Sequence, residues 1–278
     1  MPLVSAIITT HNRLELLPRA IDSVLKQDYD NIQLIVVDDA SSDGTQDYLI
    51  EQQQKGYLIY CRIDESKGAN NARNEGIKLS SGEYLAFLDD DDYWSPQKIG
   101  FQIEILQQNL DVALVGGWYG VGEDLIKPPA EISLRVMLSE NGLGGFSIGM
   151  FRKKDLISVG GLSLDLMNSQ EWDLWIRLAQ LGKVSVAQEC LMYYDAVRED
   201  RISVRKNVQQ YYDNYYKVVK RYWHLMGFWT RRRHYFIVAY QTTDRGKYLV
   251  RLVFGGGLFV SRGIDRWQVK RETMRQSS

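Results

Sequence analysis

The hydrophobic positions form short continuous runs separated by stretches with helical spacing. Leu3–Thr9 (LVSAIIT) is apolar and rich in β-branched residues, as expected of a parallel strand covered on both faces. It ends in the polar Thr9-Thr10-His11-Asn12-Arg13. Leu17, Ile21, Val24 and Leu25 then share one side of a helix predicted to run to about Gln27, with Pro18 distorting its first turn. Ile32–Val37 is a second buried strand. It leads into Asp38-Asp39-Ala40-Ser41-Ser42-Asp43-Gly44-Thr45, where Asp43 reads as a cap for a helix starting near Thr45. A strand near Leu58–Ile63, a polar stretch over Ser66–Asn74, a helix to about Leu79 and a strand at Tyr84–Leu88 complete the series. Strands alternating with helices predict crossover connections and a mostly parallel sheet, an α/β fold.

The last of these strands runs into Asp89-Asp90-Asp91-Asp92-Tyr93-Trp94. Adjacent carboxylates raise one another's pKa unless a cation sits among them. The residues alone leave two readings open. One is a Mg²⁺ or Mn²⁺ site that uses one or two carboxylates and fills its remaining positions with phosphate oxygens and water. The other is a solvated acidic turn before a helix whose N-cap and N1 would be Ser95 and Pro96. In open α/β sheets, ligands lie beyond the carboxyl ends of the strands. Three such ends carry polar clusters here: Thr9 to Arg13, Asp38 to Asp43 and Asp89 to Asp92. No Gly-x-Gly-x-x-Gly follows the first strand and no Gly-Lys-Ser/Thr occurs, which argues against a Rossmann dinucleotide site or a P-loop.

A chain of 278 residues can bury a full core. Cys61 and Cys190 are too few for a disulfide framework, so a reducing compartment is expected. Met1 to Ser5 shows neither the basic nor the apolar region of a secretory signal. Leu252 to Val260, the longest uncharged apolar stretch near the end, has about half the length of a membrane span and contains three glycines. The net charge of −1 conceals a division: residues 201–278 hold 17 Lys+Arg against 4 Asp+Glu, a balance of +13, and the rest of the chain carries −14. Such asymmetry predicts a basic segment addressed to an anionic surface, nucleic acid or membrane.

Thr9 to Arg13, Val37 to Thr45, Gly68 to Gly76 with Ala72-Arg73-Asn74, and Ser81 to Asp92 together resemble the motifs of family 2 glycosyltransferases of the GT-A fold, in order and at family spacing, over roughly residues 3–200. The resemblance implies a UDP-sugar donor, a divalent metal (Mn²⁺ or Mg²⁺) and inversion at the anomeric carbon. It places Thr9, His11 and Arg13 beside the nucleotide, Asp39 on the uracil N3–H, and Arg73 facing the nucleotide or paired with the aspartates. Asp89 would lie near the ribose, Asp90 at the variable position of the Asp-x-Asp motif and Asp91 on the metal, while Asp92 would bond the sugar or cap a helix. Asp38 would contact either ligand or its own loop.

Gln170-Glu171-Trp172-Asp173-Leu174-Trp175-Ile176-Arg177-Leu178 resembles the family's base helix but departs from it, with Gln170 where Glu is usual and Glu171 where the Asp base is usual. Glu171 is the expected base, with Asp173 in reserve, and Trp172 is a candidate acceptor platform. Gly144 to Arg152 and Val159 to Leu162 would form either a close approach to ligand or a plain structural turn.

The expected organisation is a GT-A domain over 1–200, with a nucleotide half to about 95 and an acceptor half from 96, and a helical basic/aromatic extension over 201–278. Tyr211, Tyr212, Tyr215, Tyr216 and Val219 mark an amphipathic helix, and Trp229 to Phe236 interleaves aromatics with arginines. Their expected partner is a membrane surface on the cytoplasmic side rather than nucleic acid, with a homodimer surface as another use. The whole reads as transfer from a UDP-sugar to a glycan or lipid-linked acceptor in bacterial surface polysaccharide synthesis. The alternatives are a non-catalytic nucleotide-binding scaffold and a sugar-nucleotide nucleotidyltransferase.

Overall fold

The computed structural model describes residues 1–194 and 208–242. Along the chain they form β1 (Val4–Thr10), α1 (Leu17–Leu25), β2 (Ile32–Asp39), α2 (Thr45–Gln54), β3 (Ile59–Ile63), α3 (Ala69–Leu79), β4 (Tyr84–Asp89), β5 (Asp92–Trp94), α4 (Lys98–Gln108) and β6 (Val112–Val121). There follow β7 (Asp124–Ile126), β8 (Glu131–Ile132), α5 (Leu134–Ser139), a 3₁₀ turn (Phe146–Ile148), β9 (Met150–Arg152), α6 (Lys153–Ser158), α7 (Gln170–Ala179), β10 (Lys183–Tyr194), α8 (Val208–Arg221), a second 3₁₀ turn (Trp223–Leu225) and α9 (Phe228–Thr242).

The sheet runs β3-β2-β1-β4-β9-β6-β10-β5, with β7 against β6 and β8 against β10. The first four strands are mutually parallel, and β9 reverses direction between β4 and β6. The strand order turns back on itself at β1 and β4, the place where an α/β sheet opens a crevice at its carboxyl edge. Register puts Thr10 of β1 opposite Asp38 of β2, and Thr9 opposite Asp89 of β4. The three polar clusters therefore share one edge.

All seven residues of β1 are buried, as the continuous apolar run requires of a central strand. Helix α3 lies close to it because Gly76 has no Cβ, which would otherwise collide with Ile7. Trp175 of α7 is fully buried and meets Phe146 and Phe151 edge-on at 5.7 and 6.1 Å. Buried Arg152 donates to the Val112, Leu106 and Asn109 carbonyls and so satisfies the C-terminal end of α4.

Two boundaries differ from the pattern-based expectation. Helix α1 begins at Leu17, after a turn in which the Leu16 and Leu17 amides donate to the Arg13 carbonyl; Pro18 lies in its first turn, where no N–H is needed. Ser95 and Pro96 do not cap α4, whose N-cap is Gln97. Asp92–Trp94 pairs antiparallel with Met192–Tyr194, and the Ser95 amide continues the ladder by donating to the Leu191 carbonyl. Strand pairing holds the chain extended for longer than the capping signal suggests. Bulges in β10 around Ala187 to Met192 bend that strand so that it can serve both β6 and β5.

The chain divides into two compact units, Met1–Arg201 and Ile202–Ser278. In the second, α8 packs against α9 and buries Tyr212, Val218 and Val219, and the Tyr215 hydroxyl lies 2.6 Å from Nδ1 of buried His234. No helix among the described residues is long and apolar enough to cross a membrane. The apolar stretch Leu252–Val260 singled out in the sequence lies outside the described residues.

Candidate active site

The loops that follow β1 and β2 are stitched together. The Asn12 amide donates to Ser41 Oγ (2.9 Å) and Asn12 Oδ1 accepts from the Ser42 amide (2.7 Å), with Asn12 and Ala40 both at positive φ. His11 Nδ1 lies 2.5 Å from the Asp39 carbonyl and must donate to it, which leaves Nε2 to accept from Asn12 Nδ2. Thr9 is nearly buried at the strand end. Asp38 is fully buried and serves its own loop: it accepts from the Ser41 amide (2.8 Å) and pairs with Arg62 (2.8 Å). Asp43 is not the N-cap of α2, a position held by Gly44 in the left-handed region, but one residue earlier it accepts from Thr45 N and Oγ1 and also from the Leu14 amide. The Asp39 carboxylate receives Ser66 Oγ (2.7 Å) and the Lys67 and Gly68 amides (3.0 and 2.9 Å), tying β2 to the loop that enters α3.

Each carboxylate of the acidic run has a different task. Asp89 is a third exposed and pairs with Arg73 Nη2 at 2.5 Å. Asp90 and Asp91 share one cation, Arg13, at 3.0 Å each. Burial pushes Asp90 up to about 6 against the opposing pull of Arg13. The run is therefore not a solvated turn. Asp92 is buried and accepts from Ser147 Oγ (2.7 Å), which itself accepts from the Asp89 amide (3.0 Å), while Trp94 Nε1 donates to the Ser147 carbonyl (2.8 Å). The run is thus braced from behind by the 3₁₀ turn. Asp39 and Asp91 are linked through the β1 loop, where His11 bonds the Asp39 main-chain carbonyl and Arg13 pairs with the Asp91 carboxylate.

Helix α7 closes the site. The Glu171 carboxyl is half-buried and accepts from Asn141 Nδ2 (3.3 Å). Its pKa is raised by burial, opposed by its own amide at the helix N-terminus, by Arg73 and by Asn141. Gln170 Oε1 lies 3.5 Å from Arg73. Two expectations fail here. Asp173 does not reach the crevice: it is fully buried, paired with Arg177 at 2.8 Å and bonded to Ser163 Oγ at 2.9 Å. Trp172 is 2 % exposed with its indole N–H on the Met137 carbonyl, so its face is core and not a sugar platform. Residues two apart on a helix point to different sides: Asp173 turns into the core, and Glu171 lies beside Asn141.

The glycines of the 144–149 segment turn out to serve packing. A Cβ on Gly145 would strike the Tyr194 hydroxyl, one on Gly149 would lie 2.5 Å from the Trp175 ring, and Gly144 sits at φ +106°. Sequence reasoning missed Asn141, Phe146 and Ser147, because a polar residue in a loop and a Phe-Ser pair after glycines carry no motif of their own.

No group of three or more metal-ligating side chains occurs among the described residues. The chemistry still fits a hard divalent cation of the kind that takes one protein carboxylate and completes its shell with phosphate and water. Asp91 supplies only oxygen donors, and its present partner is a cation that a metal could replace.

The chain is similar in sequence and fold to known proteins. The sequence profile of Glycosyl transferase family 2 matches residues 5–162. The chain is 28 % identical over 211 residues to UDP-Glc:alpha-D-GlcNAc-diphosphoundecaprenol beta-1,3-glucosyltransferase WfaP of Escherichia coli, covering 74 % of this chain and 82 % of WfaP. In fold it resembles S. aureus TarS 1-349 in complex with UDP-GlcNAc, with a TM-score of 0.67, 15 % identity, and coverage of 99 % of this chain and 92 % of TarS. It also resembles the mannosyltransferase PcManGT from Pyrobaculum calidifontis in complex with GDP-Man and Mn2+, with a TM-score of 0.63, 17 % identity, and coverage of 96 % and 83 %. With a GT-A sheet, acidic strand ends gathered at its turning point and a profile match spanning more than half its length, the chain belongs to glycosyl transferase family 2.

Proposed function

We propose that the protein transfers a sugar, with inversion, from a UDP-sugar to a hydroxyl of a lipid-linked glycan during assembly of a bacterial surface polysaccharide. The observation that supports this reading is the placement of Asp39 and the Arg13–Asp91 and Arg73–Asp89 pairs at the carboxyl edge shared by β2, β1 and β4, with Glu171 acted on by Arg73 and Asp89. Thr9, His11 and Asp39 would flank the nucleoside. Arg13 and Arg73, the cations paired with the acidic run, would suit a diphosphate by charge and fork geometry. A Mn²⁺ or Mg²⁺ held by Asp91 would act as a Lewis acid on the departing diphosphate.

Glu171 is the base. It takes the proton of the acceptor hydroxyl as that oxygen attacks the anomeric carbon from the face opposite the diphosphate, and the bond to UDP breaks with the electron pair leaving on UDP. Half-burial and a raised pKa suit a carboxylate to this task, since they make it a stronger proton acceptor than one in open water. The name of WfaP, with its UDP-Glc donor and diphosphoundecaprenol acceptor, supports the donor and acceptor classes. A membrane-bound acceptor also gives a use to exposed Phe228, Trp229 and Tyr235 beside Arg231 to Arg233 on α9.

The test is UDP release from a panel of UDP-sugars with a polyprenyl-diphosphate sugar as acceptor, comparing wild type with Glu171→Gln. Release that depends on acceptor and collapses in the variant is the expected result. Equal and negligible release from both proteins would mean a nucleotide-binding scaffold.

A further inference from the structure

The charged groups acting on Glu171 are Arg73 on α3 and Asp89 at the end of β4, one of each sign. The uncharged contact is Asn141, in the loop between α5 and the 3₁₀ turn. Asn141 Oδ1 accepts from the Gly144 amide at 3.2 Å, which only an oxygen can do, so the side-chain NH₂ is fixed on the other side. There Nδ2 donates both to the Gly144 carbonyl (3.1 Å) and to Glu171 Oε1 (3.3 Å).

The same Gly144 carbonyl accepts from Trp175 Nε1 at 3.0 Å. Trp175 lies one turn beyond Glu171 on α7, so the loop grips the helix at two successive turns. Leu143, in the same loop, is fully buried in the space that Gly116 leaves by lacking a Cβ. An amide this tightly seated is a fixture of the site, and its donor is aimed at the base.

We propose that Asn141 is a positioning residue for transfer: its amide orients the Glu171 carboxylate and holds it ionised. The inference rests on Glu171 being the base. A donated N–H favours the charged form of a carboxylate and here opposes the effect of burial. Asn141→Ala removes the donor. Asn141→Asp keeps an oxygen for the Gly144 amide but faces Glu171 with a second carboxylate.

The experiment has two arms. In the first, ¹³C-carboxyl NMR of glutamate-labelled protein follows the titration of Glu171, assigned by its absence in Glu171→Gln. Its midpoint is expected to rise by about half a unit to one unit in Asn141→Ala and further in Asn141→Asp. In the second, the acidic limb of the kcat profile is expected to move in the same order. Urea midpoints and UDP titration verify that both variants fold and bind. A Glu171 midpoint that is unchanged in both variants overturns the proposal, whatever happens to overall activity. Retained turnover in Glu171→Gln would instead remove the general-base reading, and the NMR arm would still decide whether Asn141 governs Glu171.

Discussion

Arg73 Nη2 lies 2.5 Å from Asp89 Oδ1, and the face of the same guanidinium rests on the Phe146 ring at 4.2 Å. One side chain thus links α3, the acidic run and the 3₁₀ turn that braces it. Arg73 is 6 % exposed, whereas Asp89 is a third exposed, so water compensates part of the loss of the pair. Arg73→Ala is expected to cost about 1 to 2 kcal/mol in stability, read as a shift in urea midpoint. Arg73→Lys keeps the charge but loses the planar stack and the fork. It should fold nearly as well and bind UDP about tenfold more weakly by calorimetry, a difference of about 1.4 kcal/mol.

The two carboxylates of α7 should separate cleanly. Glu171→Gln is expected to lower kcat by about 10² to 10⁴ with little change in UDP affinity, the usual contribution of a general base. Asp173→Asn should do the opposite. It leaves Arg177 without its buried partner, which costs about 3 kcal/mol, while turnover per folded molecule stays close to wild type below the melting range. Parallel kinetics and thermal melts of the two variants check this. A kcat loss in Asp173→Asn as large as that in Glu171→Gln would contradict the assignment.

Activity and stability should respond to pH in opposite directions at Glu171. Burial raises its pKa in the folded protein. Between the ordinary carboxylate value and the raised one, the folded state keeps a proton that the unfolded state has released. The contribution to stability is therefore complete at low pH and is lost as pH rises through the folded pKa. Glu171 as the proposed base would work only when ionised, so kcat is expected to fall as pH is lowered through that same pKa. Glu171→Gln cannot ionise there and should be more stable than wild type at pH 8, with the difference vanishing towards pH 4, as urea titrations across pH would reveal.

Much of this arrangement could be read from the sequence, for physical reasons. A strand buried on both faces must be apolar at every position, so β1 and β2 were legible from composition, and their polar ends stood out by contrast. What escaped depends on partners far along the chain. Asp92–Trp94 became a strand because of Met192–Tyr194, about a hundred residues later, and no local signal competes with the capping signature of Ser95-Pro96. Trp172 looked available because it adjoins Glu171, yet helical geometry turns it towards the Met137 carbonyl. Asn141 was silent because its role exists only once α7 is in place.

The α9 segment makes a separate prediction about membranes. Phe228 and Trp229 are 63 % and 78 % exposed, and Arg232 lies over the Phe228 and Phe236 rings at 5.5 and 5.6 Å. Each basic residue at an anionic surface contributes about 1 kcal/mol, so replacing Arg232 and Arg233 by Ala should weaken partitioning to phosphatidylglycerol vesicles by about thirtyfold. Flotation assays would measure it. The effect should shrink at high salt, whereas the loss from Trp229→Ala should persist there because it removes apolar contact.

The position of Arg13 sets the terms for cation binding. Its Nη1 lies 3.0 Å from Asp90 Oδ1 and 3.0 Å from Asp91 Oδ2. A divalent ion on Asp91, as proposed, would have to displace a guanidinium already there, and the diphosphate would be the new partner for Arg13. Metal and donor should bind with positive coupling: Mn²⁺ alone is expected to raise Tm only slightly, and Mn²⁺ with UDP by much more than the sum of the separate shifts. In Arg13→Ala that guanidinium is removed while Arg19 still donates to the Asp91 carbonyl, so Mn²⁺ alone should stabilise more than it does in wild type. In Asp91→Asn the metal-dependent part should disappear. Chelation should abolish UDP release, and Mn²⁺ or Mg²⁺ should restore it. A wild-type Tm that responds to Mn²⁺ equally with and without UDP would show that Arg13 does not hold the cation's place.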